Sequence, residues 1–290
     1  MIRVAIIAAM AGELKPFLHD LAKEGWVHER RGNVELWRLV WPDWGEWVAA
    51  CTGAGMDAAA RAFAAVEQDG PISAVISTGW AGALREEYAA GRAFWVTGVV
   101  DARTGERFGT AHSAEESAVL KGHGLSQAVP GTRRDAALAA EGLQIGERWL
   151  PQGLKHGEPY RSPRGAAGAV PFQIECWLVT SPKVADEAEK LRLAAAYKAG
   201  LVDMEAAAIA RLARMRGIPF YCLKGVSDGV GDKLPDFNHF IAPDGRFRIV
   251  RFVLFAILRP WYWPVLVRMG ENGKRAAQGI AESLLDLLNE

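Results

Sequence analysis

Residues 201–232 read LVDMEAAAIARLARMRGIPFYCLKGVSDGVGD, and this stretch decides the fold. Asp203 and Glu205 flank Met204 at the head of an alanine-rich run. The run MEAAAIARLARMRG has the apolar spacing of a buried helix, and Gly217 ends it. PFYCLKGVSD, directly after, is short, apolar and β-prone, which predicts a buried strand. A strand buried on both faces, entered from a helix, belongs in a sheet covered by helices.

The same grammar runs outward from there. IRVAIIAAM predicts a strand that enters a charged helix, AGELKPFLHDLAKEG. EWVAACTG predicts a strand, MDAAARAFAAVEQDG a helix closed by Gly70, and ISAVISTGWAG a strand running into a glycine turn. AFWVTGVVDA is read as one further strand. CWLVTS then predicts a strand and VADEAEKLRLAAAYKAG a helix. Strands alternating with helices predict an α/β domain with a mixed, mostly parallel sheet flanked by helices. Ligands in such sheets gather at the carboxyl ends of the strands. Residues 104–175 are rich in Gly, Pro and charge, and long loops are expected there. The expected division is a domain over residues 1–245 and an apolar, Trp-rich helical extension over 246–290 that packs on it.

Composition excludes several classes. Lys plus Arg equals Asp plus Glu at 34 each, so the excess of basic charge that a nucleic-acid binder uses against phosphates is missing. Three cysteines without metal or redox spacing suit a reducing cytosol, so a cytoplasmic location is expected. The first ten residues lack a usable signal-peptide cleavage region and read as a buried strand. The six histidines have no H-E-x-x-H or C-x-x-C context, and no phosphate-loop or dinucleotide motif is present. Neither a metal nor a cofactor is expected.

What remains is a set of acids at the ends of apolar elements: Glu13, Asp203, Glu205 and Asp228. Each has an ordinary reading. Asp203 suits a helix N-cap, Glu205 the positive end of that helix, Asp228 a turn, and Glu13 an exposed first turn. Together they point elsewhere. Glu13 and Asp228 follow strands at their carboxyl ends, and Glu205 opens the helix that leads into Asp228's strand. A parallel sheet brings those positions to one edge, and acids converging in an apolar site support acid–base chemistry.

VAIIAAMAGEL at 4–14, VISTGWAGAL at 75–84, the 201–232 block and DFNHF at 236–240 resemble the nucleoside phosphorylase/nucleosidase superfamily, most closely the methylthioadenosine/S-adenosylhomocysteine nucleosidases. The blocks fall in family order over about the first 240 residues. The resemblance implies a three-layer domain and hydrolysis of a purine nucleoside. It implies that Glu13 orients the attacking water and that Asp228 protonates the purine N7. It implies that Glu205 binds the ribose hydroxyls and Met204 packs on the sugar. The chemistry is consistent, because an oxocarbenium-like sugar and a purine anion need a carboxylate on one side and an acid on the other. The resemblance also places Val184 and Ala185 at the purine, Phe237 along the 5′-substituent pocket, and Ser227 and Ala81 beside the substrate. A homodimer is implied as well.

Phosphate as the second substrate needs dedicated cations. The similar phosphorylases carry arginine in the first turn and before the glycine turn. Here those places hold AAMAGEL and Ser77, so water is the expected co-substrate and phosphorolysis the alternative. Lys224 stands where the nucleosidases carry arginine and is expected to pair with Glu13; its plain reading is a snorkelling strand-end lysine. Trp80 replaces a small residue and is read either as reshaping the sugar pocket or as core filler. The tail RIVRFVLFAILRPWYWPVLVRMG is too interrupted by arginine and proline for a spanning helix. It is expected to pack near the 5′ pocket, with a dimer surface and a membrane-interface segment as rivals. It is similar to the tail of hopanoid-associated nucleosidases, which remove adenine from adenosylhopane. A nucleoside-binding protein without turnover is the non-enzyme alternative.

Overall fold

The computed structural model describes residues 2–41, 45–111 and 176–289. The strands are β1 (Ile2–Ala8), β2 (Val27–Arg31), β3 (Val34–Trp41), β4 (Gly45–Cys51), β5 (Ala74–Ala83), β6 (Ala93–Trp95), β7 (Gly98–Asp101), β8 (Arg107–Gly109), β9 (Trp177–Thr180), β10 (Leu201–Asp203) and β11 (Phe220–Asp228). The helices are α1 (Ala11–Asp20), α2 (Met56–Glu67), α3 (Glu187–Tyr197), α4 (Ala206–Arg216), α5 (Ile249–Ile257) and α6 (Trp263–Asn289).

One mixed sheet runs in the order β2-β3-β4-β1-β5-β10-β9-β7-β8, with β11 pairing with β5 and β6. Its long central pairs, β1 with β4, β1 with β5 and β11 with β5, are parallel. β5 is the pivot. β11 lies along it from Val75 to Gly82, while on its other side β1 accompanies Ala74–Ser77 and β10 meets it in antiparallel register at Gly82 and Ala83. The sheet therefore divides at the carboxyl end of β5, and several strand ends face the opening. α2 and α4 cover one face, where Ala62, Phe63, Ala207 and Ile209 are buried with Val75 and Val226. α1 and the second half of α6 cover the other, where Leu14, Phe17, Ile280 and Leu284 join Ile6 and Trp47.

Two parts of the sheet differ from the expected pattern. AFWVTGVVDA makes two strands. Between them the chain changes neighbours: Val96 N donates to Cys222 O, and Thr97 N donates to Cys176 O. Residues 27–41, to which the sequence pattern assigned no element, form the β2–β3 hairpin, turning at Gly32 with φ +60. Of the expected loop region 104–175, residues 107–109 form β8 against β7; residues 112–175 lie outside the described residues.

The tail has two parts. From Asn272 onward α6 turns Asn272, Ala276, Ala277, Ile280, Ala281 and Leu284 inward, a stripe with helical spacing. Its small side chains allow close approach: a Cβ on Gly225 of β11 would lie 2.9 Å from Ala276 Cβ. The part before Asn272 does not follow the expectation of a packed segment, because Trp261 and Trp263 are 68% and 51% exposed.

Candidate active site

The sheet edge gathers the acids. Glu13 sits in the first turn of α1, where its Oε2 accepts from Met10 N at 2.8 Å, half of a capping box. Its Oε1 accepts from Trp80 N at 2.9 Å. The carboxylate rests over Gly79, whose φ is +123; a Cβ there would lie 2.9 Å from Oε2. Asp228, at the end of β11, rests in the same way over Gly82, where a Cβ would lie 3.0 Å from Oδ2. The two glycines of the 78–82 run TGWAG are thus the seats of two acids, three residues apart on one strand. Burial pushes the Glu13 pKa up, against the N–H bonds from Trp80 and Met10 that favour its charge. A carboxylate so placed is a stronger base than an exposed one.

Glu205 does not serve its own helix end. Its Oε1 accepts from Gly55 N at 2.7 Å, at the start of α2. Burial first, and then the neighbouring Asp203, raise its pKa to about 7. Asp203 performs the capping: its Oδ2 accepts from Ala206 N at 2.9 Å, and its Oδ1 accepts from Thr180 Oγ1 at 2.7 Å. Met204 is half-buried between the two acids.

The buried lysines correct the sequence reading. Lys224 pairs with Asp203 (Nζ to Oδ2, 3.0 Å) in place of Glu13, and also donates to Ser77 Oγ and Thr78 O, each at 3.2 Å. Burial opposes its charge, yet Asp203 and the other anionic groups around it hold its pKa above the usual lysine value. Three acceptors use its three protons. Lys190 of α3 was not among the expected site residues. It is 1% exposed, and its Nζ contacts Asp228 Oδ2 and donates to Gly229 O at 2.6 Å. Ser227 Oγ donates to Asp228 Oδ1 at 2.6 Å and also reaches Ala81 O at 3.3 Å. Lys190 shares the buried face of an otherwise polar helix with Leu193, three residues on, and no local signal sets it apart from a solvated lysine.

The expected base and 5′ positions are linked to each other through Asn238, the residue after Phe237. Val184 N donates to Asn238 Oδ1 at 2.8 Å, and Asn238 Nδ2 donates back to Val184 O at 3.1 Å. The backbone that was assigned to a purine is occupied by a carboxamide of the chain itself. Ala185 beside it is buried. Phe237 packs on Phe252, ring centroids 5.5 Å apart, in a cluster with Phe240, Phe247 and Phe255. Trp80 is partly buried, and its Nε1 donates to Gly273 O at 3.1 Å, tying the acid-bearing edge to α6. Of its two readings, the indole joins elements and does not stand free. Among the described residues no cluster of His, Cys, Asp and Glu has the arrangement of a metal site.

A mixed α/β sheet with buried carboxylates seated on glycines at its divided edge defines a class of sites built for acid–base work on a small ligand. The model of the phosphorylase superfamily matches residues 3–254, and the chain belongs to that family. No curated protein matches it. Among solved structures it is similar to the futalosine hydrolase of Helicobacter pylori strain 26695, with TM-score 0.58 and 16% identity over 99% of this chain and 97% of that one. It is similar to a mutant of the Helicobacter pylori 5′-methylthioadenosine/S-adenosylhomocysteine nucleosidase holding 5′-methylthioadenosine in its active site, with TM-score 0.58 and 16% identity over 100% and 99%. It is also similar to a putative nucleosidase of that kind from Francisella philomiragia, with TM-score 0.57 and 17% identity over the full length of both chains.

Proposed function

We propose that this protein hydrolyses the N-glycosidic bond of an adenine nucleoside, with water as the second substrate. The observation that carries the reading is the pair of buried carboxyl groups, Glu13 and Asp228, seated on Gly79 and Gly82 of one strand. Asp228 in its protonated form gives its proton to the purine N7 as the C1′–N9 bond breaks and its electrons pass to the base, and the carboxylate left behind is the one that pairs with Lys190. Water attacks C1′ and gives its proton to Glu13. Glu205 accepts from the ribose hydroxyls, bonds that strengthen as positive charge builds on the sugar. Met204 packs on the sugar. Lys190 is a positioning residue for the Asp228 carboxyl.

Water is favoured over phosphate because the buried cations are committed. Among the described residues, Arg3, Lys190 and Lys224 each contact a carboxylate, of Glu46, Asp228 and Asp203. The phenylalanine cluster at Phe237 favours an apolar 5′ substituent, as in methylthioadenosine or the longer adenosylhopane. A purine at Val184 and Ala185 requires the Asn238 amide to leave first. The amide offers the same alternation of donor and acceptor as an adenine edge, so the exchange conserves hydrogen bonds.

The test is incubation with adenosine and 5′-methylthioadenosine, with and without phosphate. Free adenine and a reducing sugar in phosphate-free buffer are expected. Ribose-1-phosphate formed only when phosphate is present would overturn the reading, and tight binding without turnover would make the protein a nucleoside sensor. Glu13→Gln should lower kcat by about 10²- to 10⁴-fold. Lys190→Met should lower kcat more than it raises KM and move the pH profile, with partial rescue by Lys190→Arg.

A further inference from the structure

We propose that the elbow between α5 and α6 is a docking surface for an anionic lipid bilayer, which it meets from one side. α5 is apolar except for Arg251. One side, with Phe252 and Phe255, packs on Phe237, Phe240 and Phe247. The other side leaves Val250, Val253, Leu254, Ile257 and Leu258 exposed, with Val250 at 74% and Leu258 at 72%. Trp261, Trp263 and Val267 extend this face around the bend, where the two helices meet at 103°. An apolar face of this length on a chain with no net charge is a surface that water does not stabilise.

Charge selects the occupant. From Gly245 to Gly270 the chain carries five arginines and no acid. Arg248, Arg251 and Arg259 make no ion pair with a described residue, and Arg248 and Arg251 are exposed beside the apolar face. A second copy of the chain would bring this cationic rim against itself across a two-fold axis. Anionic headgroups neutralise it, while the aliphatic face enters the acyl boundary. Trp and Tyr at the bend are the side chains that favour the headgroup level. Trp263 keeps its indole N–H bonded to Ala256 O at 2.8 Å, so the bend is internally braced. No single helix among the described residues is long and apolar enough to cross a membrane; α5 and α6 together have that length and composition, but they are bent by 103° at the elbow, which suits contact from one side.

The proposal is independent of the reaction. If the nucleosidase reading also holds, the phenylalanine cluster joins the docked face to the residue expected at the 5′ pocket.

The test is co-sedimentation of the full chain with vesicles of phosphatidylcholine alone and of phosphatidylcholine mixed with phosphatidylglycerol. Binding to the mixed vesicles, weakened by salt, is expected. Val250→Ser with Leu254→Ser and Leu258→Ser should remove it. Arg248→Glu with Arg251→Glu should lower the partition coefficient by about tenfold or more. All these side chains are exposed, so the melting temperature should stay that of the parent and confirms folding in each variant. Failure of the parent to bind mixed vesicles would overturn the proposal, as would equal binding to neutral and mixed vesicles. A dimer of the parent that the serine variant dissolves, with no vesicle binding by either, would assign the face to a second copy instead.

Discussion

Glu205 is buried between the start of α2 and the start of α4, beside Asp203 and near Glu13. Its pKa of about 7 stands above the ordinary glutamate value of 4.5. The folded protein therefore holds this proton more tightly than the unfolded chain. The stability it contributes is fully present below the unfolded value and is lost as pH rises through about 7. Glu205→Gln removes a charge that the site must otherwise desolvate, and its amide oxygen still accepts from Gly55 N. The variant is expected to melt about 2 °C or more above the parent near pH 8, with the gap closing near pH 5. Thermal melts across that range check it; a gap that widens toward acid would refute the assignment. Catalysis should show the cost, since an amide is a weaker acceptor for the ribose hydroxyls than a carboxylate.

At the scale of elements, β5 and β11 carry the site and α6 clamps it. β5 supplies room at Gly79 and Gly82 for the acids, and β11 supplies Asp228, Lys224 and, at Gly225, the bare surface on which α6 lies. A Cβ at Gly225 would also meet Ala276 O at 3.0 Å and Ile280 Cδ1 at 3.0 Å. Gly225→Val should therefore push α6 outward and cost about 1–3 kcal/mol in urea unfolding, the usual penalty of overpacking. Because Trp80 bonds to Gly273 on the same helix and presents its own N–H to Glu13, the variant should also lose activity. Unchanged stability would mean that α6 is not held at this contact.

Over the whole molecule, apolar area is distributed unevenly. Among the described residues the main cores on the two faces of the sheet are closed by helices and a smaller cluster around Leu193 lies under α3, while the α5–α6 elbow leaves aliphatic and indole surface in water. Assembly is a separate question from that elbow. A homodimer, as the resemblance implies, is expected to form through another surface. Light scattering at micromolar concentration should give twice the chain mass, and the elbow serine variant should keep it. A monomer would rule the dimer out.

Much of the fold and of the candidate site was legible in residues 201–232 and the glycine-ended strands, because periodicity is a local property of the chain. Apolar runs of strand length, an alanine-rich helix and acids at their ends imply a sheet edge with carboxylates on it. The TGWAG run, read as a turn, is instead the second half of the continuous strand β5, and its use as a pair of seats follows only from β11 and α1 lying across it. Partner choice was not legible. A lysine such as Lys190 in EAEKLRLAAAY reads as solvated, and only the docking of α3 buries it against Asp228, 38 residues away. Lys224 was matched to Glu13 by analogy; β5, which pairs with both β10 and β11, brings Asp203 to it. Asn238 meets Val184 across 54 residues, through a contact that no local pattern encodes. The exposed Trp261 and Trp263 make the same point in reverse. The sequence by itself determined the elements, their order and the acids at one edge, since these depend on spacing along the chain. The tertiary structure alone decided which charge meets which and which apolar face stays uncovered, since these depend on where distant elements are brought to rest.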